Sequence, residues 1–272
     1  MGCRSRPKPS HPLRGPRRGR GPGESMSYDE LARPGGTFKM AFVAALALEC
    51  SSLRRLRPRP PGWLILQSGP GPACAARGAA EAIAGGAQVL VSWGLAGGLS
   101  AALVPGAIVL PRRIVSQSGE SWHADAGWHS RFESAIGTTH ESGALLSVPA
   151  ALESPAAKHA AAAATGAVAV DMESAAVAAA AASGGVPFLA LRVVVDGVGD
   201  ALPASSERWI DEHGHTRFAA AVSAAVNLRQ WRVLLTLAKR YRAARSTLDR
   251  VARALAARDL AAADAARLPA GS

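Results

Sequence analysis

Three acidic residues of this sequence stand where short apolar runs end. Asp171 and Glu173 lie where a run meets an alanine-rich segment, and Asp196 directly follows a run. In open α/β sheets ligands bind beyond the carboxyl ends of the strands, and burial there moves carboxyl pKa values towards neutrality. Carboxylates so placed suit general acid–base chemistry. Structural roles are also open: a helix cap for Asp171 and a turn residue for Asp196.

A glycine-rich segment, Gly94-Leu95-Ala96-Gly97-Gly98, follows another apolar run. Glycines let a ligand approach the main chain closely, and successive backbone N–H groups can hold an anion. The segment has neither the spacing of a P-loop nor that of the dinucleotide-binding Gly-x-Gly-x-x-Gly fingerprint. It is therefore a candidate ligand-binding loop, with a simple tight turn as the alternative.

The acidic residues can act together only in a fold that brings the ends of several strands close to one another. The pattern of apolar residues predicts such a fold. Eight short apolar runs predict buried strands, and four segments between or after them predict helices. The predicted strands are 40–46, 63–66, 89–93, 107–110, 114–115, 144–148, 167–171 and 188–195, and the predicted helices are 72–85, 155–164, 173–183 and 206–227. The stretch 116–142 is polar and predicts irregular structure. Strands that alternate with helices imply an α/β fold with a mixed or largely parallel sheet covered on both faces.

Four motifs occur in one order within residues 40–245, and together they resemble the nucleoside phosphorylase family. They are Gly94-x-Ala-Gly-Gly-Leu99, Pro105-Gly-Ala-Ile-Val109, Val170-Asp-Met-Glu-Ser-Ala-Ala176 and Arg192-x-x-x-Asp196. The likeness is to the methylthioadenosine/S-adenosylhomocysteine nucleosidase branch, and it extends furthest to the hopanoid-associated phosphorylases. It implies a three-layer α/β/α fold with a mixed central sheet and a basic C-terminal helical extension.

The resemblance also implies roles for single residues. Asp196 would donate a proton towards N7 of a departing purine. Glu49, at the end of the first apolar run, would orient an attacking water molecule, or else it is a surface residue at a strand end. Glu173 would accept hydrogen bonds from the ribose 2′- and 3′-hydroxyls, while Met172 would pack against sugar and base. Further substrate contacts are expected from Gly94, Ala96, Gly97 and Val170. Asp171 is left with a structural role.

The sequence departs from the family pattern in ways that bear on the nucleophile. Leu95 stands where the nucleosidases carry serine. Hexameric phosphorylases carry a phosphate-binding arginine close in sequence to the position of Ser92, and this chain has none there. Arg77, Arg112 and Arg113 are candidates for that task. Water and inorganic phosphate, the latter as a co-substrate, therefore stay open as nucleophiles. No metal and no redox cofactor is indicated.

The implied reaction is release of adenine from adenosylhopane, an adenosine with a polycyclic lipid on its 5′ carbon, in hopanoid biosynthesis. Two alternatives stay open: cleavage of methylthioadenosine or another soluble purine nucleoside, and a non-catalytic protein that binds a nucleoside or lipid. Trp122, His123 and Trp128 are candidates to line the 5′ side, or else they are packing residues.

The net charge of +11 is concentrated at the two ends of the chain, while residues 41–228 carry a slight negative charge. This distribution argues against a nucleic-acid-binding core. We predict a disordered basic leader at 1–38, with Met26 and Met40 as alternative starts, a catalytic domain at 39–228 and a basic amphipathic helical segment at 229–272. Residues 229–256 would form a lipid exit, lie on an anionic membrane, or pack on the domain or a second subunit.

The cellular setting follows from what the sequence contains. Three cysteines form neither a disulfide framework nor a metal-ligand pattern, and no window is long and apolar enough to span a membrane. The first 25 residues lack the apolar core of a secretory signal. A homo-oligomer in the cytoplasm, with peripheral membrane contact as an option, is the expectation.

Overall fold

The computed structural model describes residues 38–201 and 228–265. The leader predicted at 1–38, except for its last residue, and the helix predicted at 206–227 lie outside the described residues. Within them the chain forms nine strands and six helices. The strands are β1 Met40–Ala44, β2 Trp63–Gln67, β3 Val89–Gly98, β4 Ile108–Val109, β5 Arg113–Ser116, β6 Ser121–His123, β7 Leu145–Ser147, β8 Ala169–Asp171 and β9 Phe188–Asp196. The helices are α1 Ala47–Arg54, α2 Pro72–Ala84, α3 Ala126–Ile136, α4 Pro155–Thr165, α5 Ser174–Gly184 and α6 Leu228–Ala265.

The nine strands form one mixed sheet made of two parallel parts. In the first part β2, β1, β3 and β9 run parallel, with the short β4 antiparallel to β9. In the second part β8, β7 and β5 run parallel, with β6 antiparallel at the edge. The parts are joined where Gly97 and Gly98, at the end of β3, pair antiparallel with Val170 and Ala169. The two parts therefore meet at the carboxyl ends of their strands.

The alternating side chains of β1 show how the sheet is covered on both faces. Met40, Phe42 and Ala44 join a core that also contains buried residues of α1, α3 and α6. Ala41 and Val43, on the opposite face, join a core built against α2 and α5. Because successive residues of a strand point to opposite faces, a strand buried on both sides is apolar throughout. The predicted α/β class with a mixed, doubly covered sheet is confirmed.

Three parts of the chain differ from the sequence-based prediction. The first run ends as a strand at Ala44, and a helix begins at Ala47, so Glu49 lies in the first turn of α1 and not at a strand end. Its carboxylate accepts the Leu46 N–H, which satisfies a donor that the helix start leaves free. The glycine-rich segment 94–98 is the second half of β3, since its main chain pairs with β8 and β9.

The third difference is the stretch 116–142, which was predicted to be irregular. It contains β6 and the helix α3, whose first turn is capped by the Asp125 side chain accepting the Trp128 N–H. Trp128, Phe132 and Ile136 follow at four-residue spacing and are buried. Apolar residues do recur at helical spacing in α3, but over a short segment, and the polar residues around it hid this pattern in the sequence.

The long helix α6 packs its apolar face on the domain. Ala244, Leu248 and Val251 are buried in the core shared with α1 and β1, and Asp259 accepts a hydrogen bond of 2.7 Å from the Trp63 indole. Of the alternatives for 229–256, packing on the domain is therefore observed for this face. Within the described part of the chain, no helix has the combination of length and apolarity that spanning a bilayer requires.

Candidate active site

An open cavity lies where β1, β3, β8 and β9 end, at the meeting point of the two parts of the sheet. About 740 Å³ of space is free of protein atoms there, and part of it is open to solvent. It is lined by acidic residues, one lysine, one tyrosine and small or apolar residues: Ala45, Leu46, Glu49, Pro70, Leu95, Ala96, Gly97, Val148, Ala151, Leu152, Lys158, Val170, Asp171, Met172, Glu173, Val195, Asp196 and Tyr241.

Glu49 reaches this cavity from the first turn of α1. Its Oε2 accepts the Leu46 N–H at 2.8 Å, and its Oε1 accepts the Leu95 N–H of β3 at 2.9 Å. Burial raises the pKa of the Glu49 carboxyl, and the nearby Arg192 guanidinium opposes that rise. Both oxygens are therefore fixed by main-chain donors in a position where the group can hold or release a proton.

Gly94 lies beneath this carboxyl and does not itself line the cavity. A Cβ at this position would come within 2.4 Å of Glu49 Oε1 and 2.6 Å of Arg192 Nη1. Glycine is thus needed so that the two charged groups can approach the strand. Ala96, Gly97 and Val170, the other residues expected to contact substrate through the backbone segment, do line the cavity.

Arg192 forms a buried charged centre behind the cavity, and the sequence prediction gave it no role. Its Nε donates to Asp171 at 2.7 Å, and its Nη2 donates to Ser92 at 2.7 Å and to Ser174 at 3.1 Å. Asp171 also accepts the Ser174 N–H at the first residue of α5, although the N-cap of this helix is Glu173 and not Asp171. An arginine inside an apolar strand was the available signal, because a buried cation needs acidic partners.

Glu173 stands at the start of α5, beside Met172, and both line the cavity. Its Oε1 accepts the Gly71 N–H at 2.9 Å. Burial, then the charge of Asp171, raise the pKa of Glu173 to about 7. The carboxyl is therefore poised to change its ionisation near neutral pH.

Asp196 ends β9, and an irregularity in the strand brings it to the cavity. The pairing with β3 skips Val195, so that Val194 faces Ala96 and Asp196 faces Gly97. Such a bulge re-aims the side chains that follow it, and here Val195 and Asp196 both line the cavity. Burial raises the pKa of the Asp196 carboxyl, and Lys158 opposes that rise.

Lys158 of α4 was also missed by the sequence prediction. Its side chain is 1% exposed, and its Nζ donates to Asp196 Oδ2, to the Gly197 carbonyl at 2.9 Å and to the Asp200 carbonyl at 2.8 Å. A lone lysine within an alanine-rich helix was the only signal in the sequence, and such a lysine ordinarily points to solvent.

The rest of the cavity wall is mostly apolar, with Leu46, Leu95, Val148 and Leu152 among its residues. Tyr241 of α6 completes it, so the C-terminal helix contributes to the site. Burial raises the pKa of the Tyr241 hydroxyl to about 12, and the charges of Glu49 and Asp196 add to the rise. The phenol is therefore neutral and stands near both carboxyls.

The aromatic residues suggested for this wall lie elsewhere. Trp128 stacks on Phe38 with ring centroids 5.4 Å apart, in the core beneath α6, and Trp122 packs against the core on the other face. Neither they nor His123 line the cavity. Large apolar surfaces favour burial in the core, which explains the packing role.

The three arginines considered as phosphate ligands are also absent from the cavity lining. Arg77 donates to Cys74 on α2, Arg112 faces Glu133 at 3.8 Å, and Arg113 is exposed at the start of β5. In the described residues, no group of three or more His, Cys, Asp or Glu side chains is arranged to hold a metal ion.

Comparisons with known proteins agree with this architecture. A family model described as the phosphorylase superfamily matches residues 63–227. No curated protein sequence matches the chain significantly. Among solved structures, the methylthioadenosine/S-adenosylhomocysteine nucleosidase of Neisseria meningitidis, in complex with methylthio-immucillin-A, is similar with 17% identity and a TM-score of 0.61, covering 80% of this chain and 97% of its own.

Two Helicobacter pylori structures are also similar. Its methylthioadenosine/S-adenosylhomocysteine nucleosidase has 18% identity and a TM-score of 0.58, covering 69% of this chain and 97% of its own. Its futalosine hydrolase has 15% identity and a TM-score of 0.59, covering 79% and 97%. At such identities the likeness shows the fold.

Proposed function

The chain belongs to the phosphorylase superfamily, and from this premise we propose that it cleaves the N-glycosidic bond of a purine nucleoside and releases the base. One observation carries the proposal: the carboxyls of Glu49, Glu173 and Asp196 line one cavity, although they come from three separate elements. Glycosidic cleavage needs acidic groups on either side of the scissile bond, because the sugar gains positive charge as the leaving group gains an electron pair.

Each carboxyl has surroundings that suit a different task. Asp196, whose pKa burial raises, protonates N7 of the purine as the bond to C1′ breaks. Glu173 accepts hydrogen bonds from the ribose hydroxyls, with one oxygen already held by the Gly71 N–H. The planar base and the sugar lie among Met172, Ala96, Gly97 and Val170.

Water, oriented by Glu49, is the nucleophile that we propose. Two main-chain N–H groups fix the Glu49 carboxyl at the cavity, as a group that positions one small molecule requires. Phosphate needs cationic partners. Among the described residues that line the cavity, Lys158 is the one cation, and it is paired with Asp196. Addition of inorganic phosphate as a co-substrate is the alternative that the experiment below distinguishes.

For the 5′ substituent we propose a large apolar group, with adenosylhopane of hopanoid biosynthesis as the substrate. The apolar wall of Leu46, Leu95, Val148 and Leu152 supports this choice, because hydrocarbon is favoured against such surfaces. The opening of the cavity to solvent gives a long substituent a way out. The solved relative that binds methylthio-immucillin-A makes methylthioadenosine the natural comparison substrate.

The test is adenine release by the purified protein from adenosylhopane in detergent and from methylthioadenosine, each with and without phosphate. We expect release from both without phosphate, and a higher kcat/KM for the apolar substrate. If adenine release depends on phosphate, then phosphate and not water is the nucleophile. If the protein prefers methylthioadenosine, the proposal of a large apolar 5′ group is wrong. If neither nucleoside yields adenine, the proposed reaction is wrong.

A further inference from the structure

Lys158 is a fully buried ammonium group with three acceptors. They are Oδ2 of Asp196 and the carbonyl oxygens of Gly197 and Asp200, so each of its three N–H bonds has a partner. Burying an ammonium ion costs several kcal/mol unless its charge and its donors are satisfied. A lysine that serves only to pack α4 would not need a site built in this way.

The charged and titratable groups around Asp196 come from three parts of the chain. Lys158 approaches from α4, Asp200 lies in the turn that follows β9, and Arg240 and Tyr241 approach from α6. Asp200 accepts the Gly197 N–H at 2.8 Å and is paired with Arg240 at 2.5 Å, so its charge is directed towards α6. Among these described groups, Lys158 is the one that bonds directly to the Asp196 carboxyl.

We propose that Lys158 is the positioning residue of the proton donor: it orients Asp196 towards the purine and stabilises the carboxylate that proton transfer leaves behind. The inference rests on the proposed function. It adds a residue from outside the four motifs, on a helix in which the sequence predicts no functional residue.

The movement of the proton during the reaction explains why a cation beside Asp196 favours catalysis. As the bond between C1′ and N9 breaks, its electron pair passes to the purine ring, and the proton moves from the Asp196 carboxyl to N7. Asp196 becomes a carboxylate in a cavity where burial disfavours that charge. The fixed ammonium group of Lys158 offsets this penalty without reorganising during the reaction. Asp196 thereby releases its proton more readily than burial alone would allow.

Two substitutions separate orientation from charge. Lys158→Gln keeps hydrogen-bond donors and removes the charge, whereas Lys158→Met removes both. The matched control is Lys39→Gln, since the exposed Lys39 donates one hydrogen bond of 3.0 Å to the Gly85 carbonyl far from the cavity. kcat and KM for the most reactive nucleoside are measured from pH 5 to pH 10 in each protein.

We expect Lys158→Gln to lower kcat at neutral pH by about 10- to 100-fold, with a smaller change in KM, because the acid becomes weaker. Without the cation the Asp196 pKa rises, so the loss of activity at high pH moves upwards by about one unit. Lys158→Met adds a further loss through misorientation. Lys39→Gln keeps the wild-type profile.

A kcat that falls with no movement of the high-pH limb would overturn the proposal, since a structural role alone produces that result. A carboxyl titration of Asp196 by carbon NMR, in wild type and Lys158→Gln, reports the same pKa difference without any substrate. If the wild type releases no base, the proposed function is wrong, and the titration still decides whether Lys158 controls Asp196. If the wild type is active, and Lys158→Gln changes neither the high-pH limb of the kcat profile nor the Asp196 pKa measured by NMR, only the role proposed for Lys158 is wrong.

Discussion

At the scale of single residues, the cavity holds similar acids in dissimilar surroundings. Glu49 is bound by two main-chain donors, Glu173 by one main-chain donor with Asp171 nearby, and Asp196 by a buried lysine. These partners decide how readily each acid carries a proton, and so they divide the work of glycosidic cleavage among side chains of one chemical type.

Asp196→Asn tests the proton donor. We expect kcat to fall by about 10²- to 10⁴-fold, because an amide cannot supply the N7 proton. The folded protein is also expected to lose stability, since the substitution leaves the buried Lys158 without its counter-charge. The double variant Asp196→Asn with Lys158→Gln regains stability and stays inactive. Adenine release and thermal unfolding measure the two effects, and an active single variant would exclude the acid role.

Glu173 gives a pH dependence of binding. Since the Glu173 pKa is about 7, the ionised fraction of this carboxyl increases as pH rises, and the ionised form accepts hydrogen bonds from the ribose hydroxyls more strongly. The Kd of a 7-deaza-adenosine analogue, which takes no proton from Asp196, should therefore fall about tenfold from pH 6 to pH 8. Glu173→Gln should bind more weakly, with little pH dependence, whereas the exposed Glu120→Gln should match wild type. Calorimetric titration provides the Kd, and an unchanged dependence in Glu173→Gln would remove that residue from ribose binding.

At the scale of elements, the site depends on a close crossing of α1 and β3. The Glu49 carboxyl, on α1, bonds to the Leu95 N–H and lies directly over Gly94 of β3. This crossing holds the proposed water-orienting group, and it leaves no room for a side chain on the strand.

Gly94→Ala should therefore damage both fold and activity. The new methyl group meets Glu49 Oε1 and Arg192 Nη1, and we expect about 1–3 kcal/mol of lost stability together with a reduced kcat. Gly199→Ala is the matched control, because a Cβ there meets nothing within 4 Å. Urea unfolding and adenine release measure the outcome. Wild-type behaviour of Gly94→Ala would show that the crossing is looser than described.

Features that arise from local sequence patterns could be predicted, whereas features that arise from contacts between distant residues could not. Apolar runs located the strands, and two of the motifs contain the candidate site residues Glu173 and Asp196. Glu49 lies outside the motifs and became a candidate only through the family resemblance. All three residues line the cavity. The α1 start was missed because its cap is the Glu49 side chain rather than a serine or aspartate. The roles of Lys158 and Arg192 were missed because their side-chain partners are 18 or more residues away in sequence, and local patterns carry no such information.

At the scale of the whole molecule, α6 shares a core with the sheet, and we expect the two to unfold as one unit. The helix buries Ala244, Leu248 and Val251 in the core that also contains Phe42 of β1. Its Tyr241 lines the cavity, so the stability of the helix and the shape of the site are linked.

Leu248→Ala measures that link. Leu248 is fully buried, and we expect a loss of about 2–5 kcal/mol in the free energy of unfolding of the whole chain, in one cooperative transition. The exposed Arg242→Ala on the same helix should change stability by less than about 0.5 kcal/mol. Urea unfolding followed by tryptophan fluorescence and circular dichroism tests this. A separate, early transition of the helix would contradict the single unit.

The packing of α6 also has a consequence for biosynthesis. Met40 and Phe42 leave the ribosome early, and the helix residues that complete the same core, within 244–256, are made some two hundred residues later. Until then, the nascent chain exposes an apolar face of its central sheet, a surface of the kind that chaperones bind and that drives aggregation. Translation pauses before residue 244 would therefore prolong the period in which this protein is vulnerable.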